Sequence, residues 1–316
     1  MRAQVLREFG TPLVLEERPD PTPQGEEVVV SVRGAGVCHT DLHICAGDDG
    51  LELPLVLGHE IAGVVEALGP VLVYAAWGCG QCRFCAAGEE QLCGELVLPG
   101  FERAGGYAER VVVPSARYLL PLDGLDPVRA APLADAGLTP YRAVRRVRDA
   151  LAGGGTALVL GTGGLGQFAV QYVKLLTDAH VVAVDPSAAK RRRAAELGAD
   201  ETAAPDDVDV AARVVLDFVG SDSTLALAAR LVEPSGVVVV VGAAGGRLAF
   251  GLGEVPWEAR FTTSIMGSLP EQQEVLGYAR RGELRWHVET LPLAAANDAL
   301  ARLSRGDVTG RLVLVP

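Results

Sequence analysis

Four cysteines stand in the seventeen residues WGCGQCRFCAAGEEQLC (77–93) of a chain that has six in all. Cys79, Cys82, Cys85 and Cys93 follow the spacing C-x2-C-x2-C-x7-C. Thiolates so close in sequence can wrap one tetrahedral Zn²⁺, and Gly78, Gly80 and Gly88 allow the tight turns this requires. An iron–sulfur cluster, a redox pair and reduced core cysteines are the other readings of these residues. A redox dithiol belongs at the strand-to-helix turn of a βαβ unit, which this glycine-rich loop does not resemble. In a reducing compartment, clustered cysteines point to metal or redox chemistry rather than to disulfides.

A second stretch that can do chemistry is GTGGLG (161–166), set between the apolar run TALVLG and an amphipathic run in which Leu165, Phe168, Ala169 and Tyr172 share a face. This is G-x-G-x-x-G in the strand-to-helix context of a dinucleotide site. Gly161 makes the turn, Gly163 admits a pyrophosphate to the backbone, Gly166 allows close helix packing, and the helix N-terminus after Gly164 and Leu165 offers N–H groups to phosphate. The run HVVAVD ends in Asp185, about twenty residues on, where a carboxylate hydrogen-bonds ribose hydroxyls and repels a 2′-phosphate. NAD is therefore expected rather than NADP, although Lys190 and the arginines at 191–193 stand one turn later and could receive a phosphate.

The elements that must position these groups fall into two patterns. The first third carries β-branched runs broken by Gly or Pro, as in EEVVVSVRGAGV, PLVLGHEIAGVV and GGYAERVVVP, the mark of an irregular, mostly antiparallel β domain. From Leu138 strands alternate with helices, the βαβ signature of a doubly wound parallel sheet. Thr139 and Pro140 are placed as the N-cap and first residue of the helix that opens this half. The tail from Trp286 reads as strand, helix and strand.

With 316 residues, 49% hydrophobic and with 38 glycines, the chain suits a two-domain α/β protein with a sizeable core. The net charge of −12 and the lack of a basic stripe beyond KRRR (190–193) argue against nucleic acid. The start MRAQVLREFG has no apolar leader, and no run reaches the ~20 apolar residues of a membrane span, so a cytoplasmic location is expected.

A third group, Cys38 in GAGVCHTDLH, His59 in LGHE and Asp135 in PLADAGLTP, has no local spacing that makes it a site. Taken singly, these read as a small buried residue, a satisfied core histidine and a helix-start carboxylate. In order along the chain, however, GAGVCHTDLH, LGHEIAGVV, the four-cysteine lobe, GGYAERVVVP, APLADAGLTPYRAV and GTGGLGQFAVQ resemble the zinc-dependent alcohol dehydrogenases of the medium-chain dehydrogenase/reductase superfamily. The resemblance spans nearly the whole chain.

It implies a GroES-like catalytic domain over 1–137 and 284–316, with the zinc lobe at 77–93, and a Rossmann-type NAD-binding domain over 138–283. It implies two zinc ions per chain: a structural one on the four-cysteine lobe and a catalytic one on Cys38, His59 and Asp135, with Asp135 standing where many relatives have cysteine. Glu60 matches the acid that can approach that metal. Thr40 matches the hydroxyl that takes the substrate proton, His43 the histidine that passes it on, and Arg311 the arginine near the cofactor pyrophosphate. The implied reaction is reversible hydride transfer between a small primary or secondary alcohol and NAD⁺. The alternatives are a polyol or amino-alcohol dehydrogenase of the same superfamily and a catalytically silent NAD-binding zinc protein. A homodimer or homotetramer is implied, with GVVVVVG and TTSIMGS as candidate edge strands.

The chain departs from that pattern by being short. Pro70 runs straight into Val71 where relatives carry a loop and turn, GELVLPGFERA (94–104) is brief, and the stretch before RVVLDFVG lacks most of a helix. The first of these losses is expected to strain the strand that leads into the cysteine lobe.

Overall fold

The strand Thr156–Leu160 is buried along almost its whole length, because it lies inside a sheet whose neighbours flank it on both edges. The computed structural model describes residues 1–47 and 50–316. In it this sheet has the order Glu201–Ala203, His180–Val184, Thr156–Leu160, Ala212–Asp217, Val232–Val240 and Arg260–Thr263, every pairing parallel. The order reverses beside Thr156–Leu160, which is the switch point of a doubly wound sheet. GVVVVVG is not an edge: Val232–Val240 pairs on both sides, and the edge strand is Arg260–Thr263.

The helix Gly166–Leu176 follows the first strand and buries Phe168, Ala169 and Tyr172. Next, Ala188–Glu196 is capped by Ser187, whose side chain accepts the Lys190 N–H. Asp222–Leu231 then starts with a Ser221/Thr224 capping box. The helix expected to start at Pro140 begins earlier, at Leu138, so Thr139 lies inside it rather than capping it.

Between Ala203 and Ala212, residues 204–211 form no helix. Because the strands are parallel, the connection must pass three strand spacings, about 14 Å, and also return about 16 Å down the sheet to Ala212. A hydrogen-bonded turn, with Asp207 N donating to Ala204 O at 3.1 Å, and an irregular run to Ala212 make this return without a helix. Val208, 3% exposed, anchors it in the cluster formed by Leu158, Leu160, Val182, Val215 and Leu231.

These strands and helices belong to one compact unit, Thr139–Met266; the other is Met1–Leu138 joined to Gly267–Pro316. The second crossing thus falls at 266/267, not at the expected 283/284. The helix Leu269–Arg280 counts with the first unit because buried Gln272 donates to Leu133 O at 2.9 Å and Tyr74 OH donates to Gly267 O at 2.7 Å.

In that first unit a mixed sheet runs Val288–Pro292, Arg311–Val315, Val28–Gly36, Glu60–Val65, Gly69–Val73 and Leu119–Pro121, with Arg110–Val113 also paired to Val28–Gly36. Its pairings are antiparallel except that of Val288–Pro292 with Arg311–Val315. The tail is bound to the early strands by the register Val313↔Gly36. Arg2–Leu6 forms a second, smaller sheet with Val14–Glu17 and Leu55–Val56.

The shortened join before Val71 is a hairpin. Val65 pairs with Gly69, Leu68 N donates to Val65 O at 3.0 Å, and Gly69 has φ +76°. A three-residue loop closed by a left-handed glycine is a standard hairpin solution, so the strand continues in register into Val71, Leu72 and Val73, all fully buried. We expect Gly69→Val to cost about 1–2 kcal/mol through left-handed backbone strain, and Gly69→Asn clearly less. Thermal unfolding would order the variants wild type, Asn, Val; equal midpoints would show that the turn does not control this sheet.

Candidate functional site

The cysteine lobe hangs from the buried strand end Tyr74 to Trp77, and its turns bring four sulfurs together. Cys79 and Cys85 Sγ are 3.9 Å apart, Cys82 and Cys85 3.6 Å, and Cys82 and Cys93 3.8 Å. A zinc–sulfur bond of about 2.3 Å sets the edge of a tetrahedron at about 3.8 Å. Backbone N–H groups of Cys79 and Glu95 approach Cys93 Sγ at 3.4 and 3.3 Å, and that of Cys85 approaches Cys82 Sγ at 3.5 Å. The donor at Cys82 favours its thiolate over its thiol. The Cys85 N–H foremost lowers the Cys82 thiol to about 7, while desolvation pushes Cys85 up to about 12. A metal entering this cluster must therefore displace protons. Among the described residues every cysteine is free of disulfide bonding.

The scattered residues meet. Cys38 closes the loop after Val28–Gly36, His59 stands just before Glu60–Val65, and Asp135 follows the 3-10 turn Ala131–Ala134. All three are buried, with their candidate ligand atoms within 4.8 Å of one another. Asp135 Oδ2 lies 3.7 Å from Cys38 Sγ and 3.5 Å from His59 Nε2. Sulfur, nitrogen and oxygen donors at about 2.0–2.3 Å from one ion are about 3.3–3.6 Å apart at tetrahedral angles, so this set also fits zinc. Three ligands leave a fourth position open, which four thiolates do not. One thiolate and one carboxylate would balance the charge of a divalent ion in a buried place.

The neighbours of this set are themselves buried and charged. Asp41 is fully buried, its Oδ2 accepting from Cys38 N at 2.9 Å and Tyr107 OH at 2.7 Å, with Oδ1 3.7 Å from His59 Nδ1. A carboxylate behind Nδ1 leaves Nε2 for a metal. Burial, then Asp41, pushes the Tyr107 phenol well above its ordinary value, so it stays a donor. Burial disfavours the charged form of His59, but Asp135 and Cys38 outweigh it and hold the imidazole well above its usual range. Sequence reasoning missed Asp41 and Tyr107. Asp41 had a signal, an acid three residues after Cys38 at a helix start; Tyr107 had none nearby.

Glu60 and Arg311 form a fully buried ion pair, and Glu60 Oε1 also accepts from Ala136 N at 3.0 Å. Burial raises the Glu60 carboxyl above its ordinary range, against the pull of Arg311. The structure thus places Arg311 on Glu60 and at 3% exposure. Thr40 and His43 lie three residues apart on the helix His39–Ala46, a spacing that puts them on one face, with Thr40 Oγ1 3.5 Å from Cys38 Sγ.

In the second unit the glycine turn has the expected build. Gly161 has φ +81°, and a side chain at Gly166 would fall on the Gly161 carbonyl oxygen. The helix behind it has no side-chain cap at Leu165, and although Gln167 N and Phe168 N donate to the Gly163 and Leu165 carbonyls at 3.2 and 2.9 Å, its start presents the positive end of the dipole to an anion. Asp185 is 4% exposed; Oδ2 accepts from Thr162 N at 2.9 Å and Oδ1 from Ser187 N at 2.9 Å. Its carboxylate thus ties the glycine turn to the next strand end, with lone pairs still available to ribose hydroxyls. Lys190 lies on the adjoining helix, and Arg191 Nη1 donates to the Asp185 and Pro186 carbonyls at 2.7 and 2.9 Å.

Residues 24–124 match the alcohol dehydrogenase GroES-like domain family and residues 164–280 the zinc-binding dehydrogenase family. An NAD-dependent alcohol dehydrogenase of Sulfolobus acidocaldarius is 36% identical over 345 residues, covering 99% of each chain. The D-arabinose 1-dehydrogenase (NADP⁺) of Saccharolobus solfataricus is 34% identical, covering 100% of this chain and 97% of its own. Among solved structures, the alcohol dehydrogenase of Aeropyrum pernix superposes with a TM-score of 0.93 at 35% identity over 100% of both chains. With two family domains in order and relatives aligned end to end, the chain belongs to the zinc-dependent alcohol dehydrogenases of the medium-chain dehydrogenase/reductase superfamily.

Proposed function

We propose that this protein catalyses reversible, NAD-linked oxidation of small primary or secondary alcohols to aldehydes or ketones, with Cys38, His59 and Asp135 holding the catalytic zinc. The observation that carries this is the buried three-donor set, built apart from a four-thiol cluster that has no coordination position to spare. We assign the structural zinc to Cys79, Cys82, Cys85 and Cys93. When bound, the catalytic zinc supplies a Lewis acid that lowers the pKa of an alcohol and polarises a carbonyl.

The chain's residues do the rest. Asp41 faces His59 Nδ1 at 3.7 Å and favours a ring with Nε2 turned to the metal, and Thr40 receives the alcohol proton. His43 would pass that proton to solvent, and bound NAD⁺ would supply the acceptor for the hydride. Glu60, held by Arg311 and Ala136 N, supports the turn that carries Asp135. The uncapped helix after 161–166 binds the pyrophosphate and Asp185 the adenosine ribose, which favours NAD. The free cysteines suit a reducing, cytoplasmic setting, and no described helix is long and apolar enough to cross a membrane.

Self-association is proposed through the strand Arg260–Thr263, whose outer edge is unpaired among the described residues and which is flanked by exposed Phe250, Leu252, Trp257 and Ile265. A self-complementary strand edge suits a twofold dimer.

Cys38→Ser should lower zinc from two to one per chain with the fold retained. It should also cut NAD-linked turnover on an alcohol, polyol and pentose panel by about 1,000-fold, since several kcal/mol of charge stabilisation are lost. Undetectable turnover in the zinc-loaded wild type would favour the silent alternative, and turnover confined to polyols or pentoses would move the substrate class. Asp185→Gly should raise KM for NAD by about tenfold and improve the relative use of NADP; an unchanged cofactor ratio would remove Asp185 from the site. Trp257→Asp should shift sedimentation from dimer toward monomer, and a wild type that sediments as a monomer would refute the edge interface.

A further inference from the structure

Gln272 stands 139 residues along the chain from the turn it contacts. It is fully buried in the helix Leu269–Arg280, and its Nε2 donates to Leu133 O at 2.9 Å. Leu133 belongs to the 3-10 turn Ala131–Ala134, which delivers Asp135. The other end of the amide, Oε1, is buried with no hydrogen-bond partner. A buried, half-satisfied amide weakens a core that an apolar side chain of the same size would fill better, so its presence calls for a reason other than stability.

The turn is gripped at two points on either side of Asp135. Before it, Leu133 O is held by Gln272; after it, Ala136 N is held by Glu60 Oε1 at 3.0 Å. Within the turn Gly137 N closes onto Pro132 O at 3.0 Å. The helix carrying Gln272 is in turn fixed at its start: Ser268 Oγ accepts from Glu271 N at 3.3 Å, Leu269 N donates to Gly88 O at 3.3 Å, and Tyr74 OH donates to Gly267 O at 2.7 Å. Gly88 is part of the cysteine lobe.

We infer that Gln272 is a positioning residue for Asp135, and that its helix makes the third ligand of the catalytic metal depend on the cysteine lobe. A ligand set is only as precise as the backbone that presents it, and outer partners of ligands alter metal affinity and activity. The inference rests on the assignment of Cys38, His59 and Asp135 as that metal's ligands.

The test is zinc retention of the holoenzyme against a series of chelator concentrations, with Cys38→Ser identifying which zinc leaves. Gln272→Met keeps size and removes the donor. Its midpoint of unfolding should equal or exceed that of the wild type, while the Cys38-dependent zinc is lost about tenfold more readily. Its kcat should fall with KM for NAD unchanged. Tyr74→Phe should weaken the same zinc in the wild type and add little in the Gln272→Met background, the signature of one shared route. A chelator curve for Gln272→Met that matches the wild type overturns the positioning role, as does equal loss of both zincs together with a lowered midpoint. Additive effects of the two substitutions overturn the shared route through the start of the helix, and unchanged retention of the Cys38-dependent zinc in Cys79→Ser, which loses the lobe's own zinc, overturns the dependence on the lobe. If the wild type holds no Cys38-dependent zinc, the ligand assignment itself fails; if it does and Gln272→Met behaves identically, only this inference fails.

Discussion

Burying acids without unpaired charge is the constraint on which the first unit depends. Cys38, Asp41, Glu60 and Asp135 are packed together at less than one-tenth exposure, where an isolated carboxylate would be costly. Three compensations are built in. Arg311 pairs with Glu60, His59 lies between Asp41 and Asp135, and Tyr107 donates to Asp41. A divalent ion on Cys38, His59 and Asp135 would complete the balance. The sheet topology follows from the same need: Arg311 starts the strand whose Val313 pairs with Gly36, two residues before Cys38, so one register brings the cation to the acids.

Much of this was legible in local sequence where one element carries the whole feature. The four thiols lie in one loop, and the glycine turn, its helix and Asp185 lie in successive elements of one βαβ unit, so spacing alone marked them. Cys38, His59 and Asp135 come from three distant segments, and only the family resemblance joined them. Asp41 showed itself weakly, as an acid one helical turn after Cys38. Gln272 and Tyr107 left no local trace, because their roles are defined by partners 139 and 66 residues away.

The shortened segments separate two kinds of economy. Before Val71 the expected strain is absorbed by one left-handed glycine, because a hairpin needs few residues when its register is fixed by buried Ala62, Leu72 and Val71. Between Ala203 and Ala212 the helix is replaced by a turn and an irregular run whose one buried apolar side chain, Val208, covers part of the sheet face. Both solutions keep the strands in place and remove material from connections, where fewest buried contacts are lost.

The Glu60–Arg311 pair also carries a clock. The two residues are 251 positions apart, and at about 5–20 residues per second a growing chain makes Glu60 some tens of seconds before its partner exists. During that interval the early strands cannot bury Glu60 as an ion pair, whereas Thr139–Met266 has been synthesised in full and contains its own core. The unit that comes second in the sequence is therefore the one that can finish first on the ribosome, and the opening strands must wait, hydrated, for the tail to arrive.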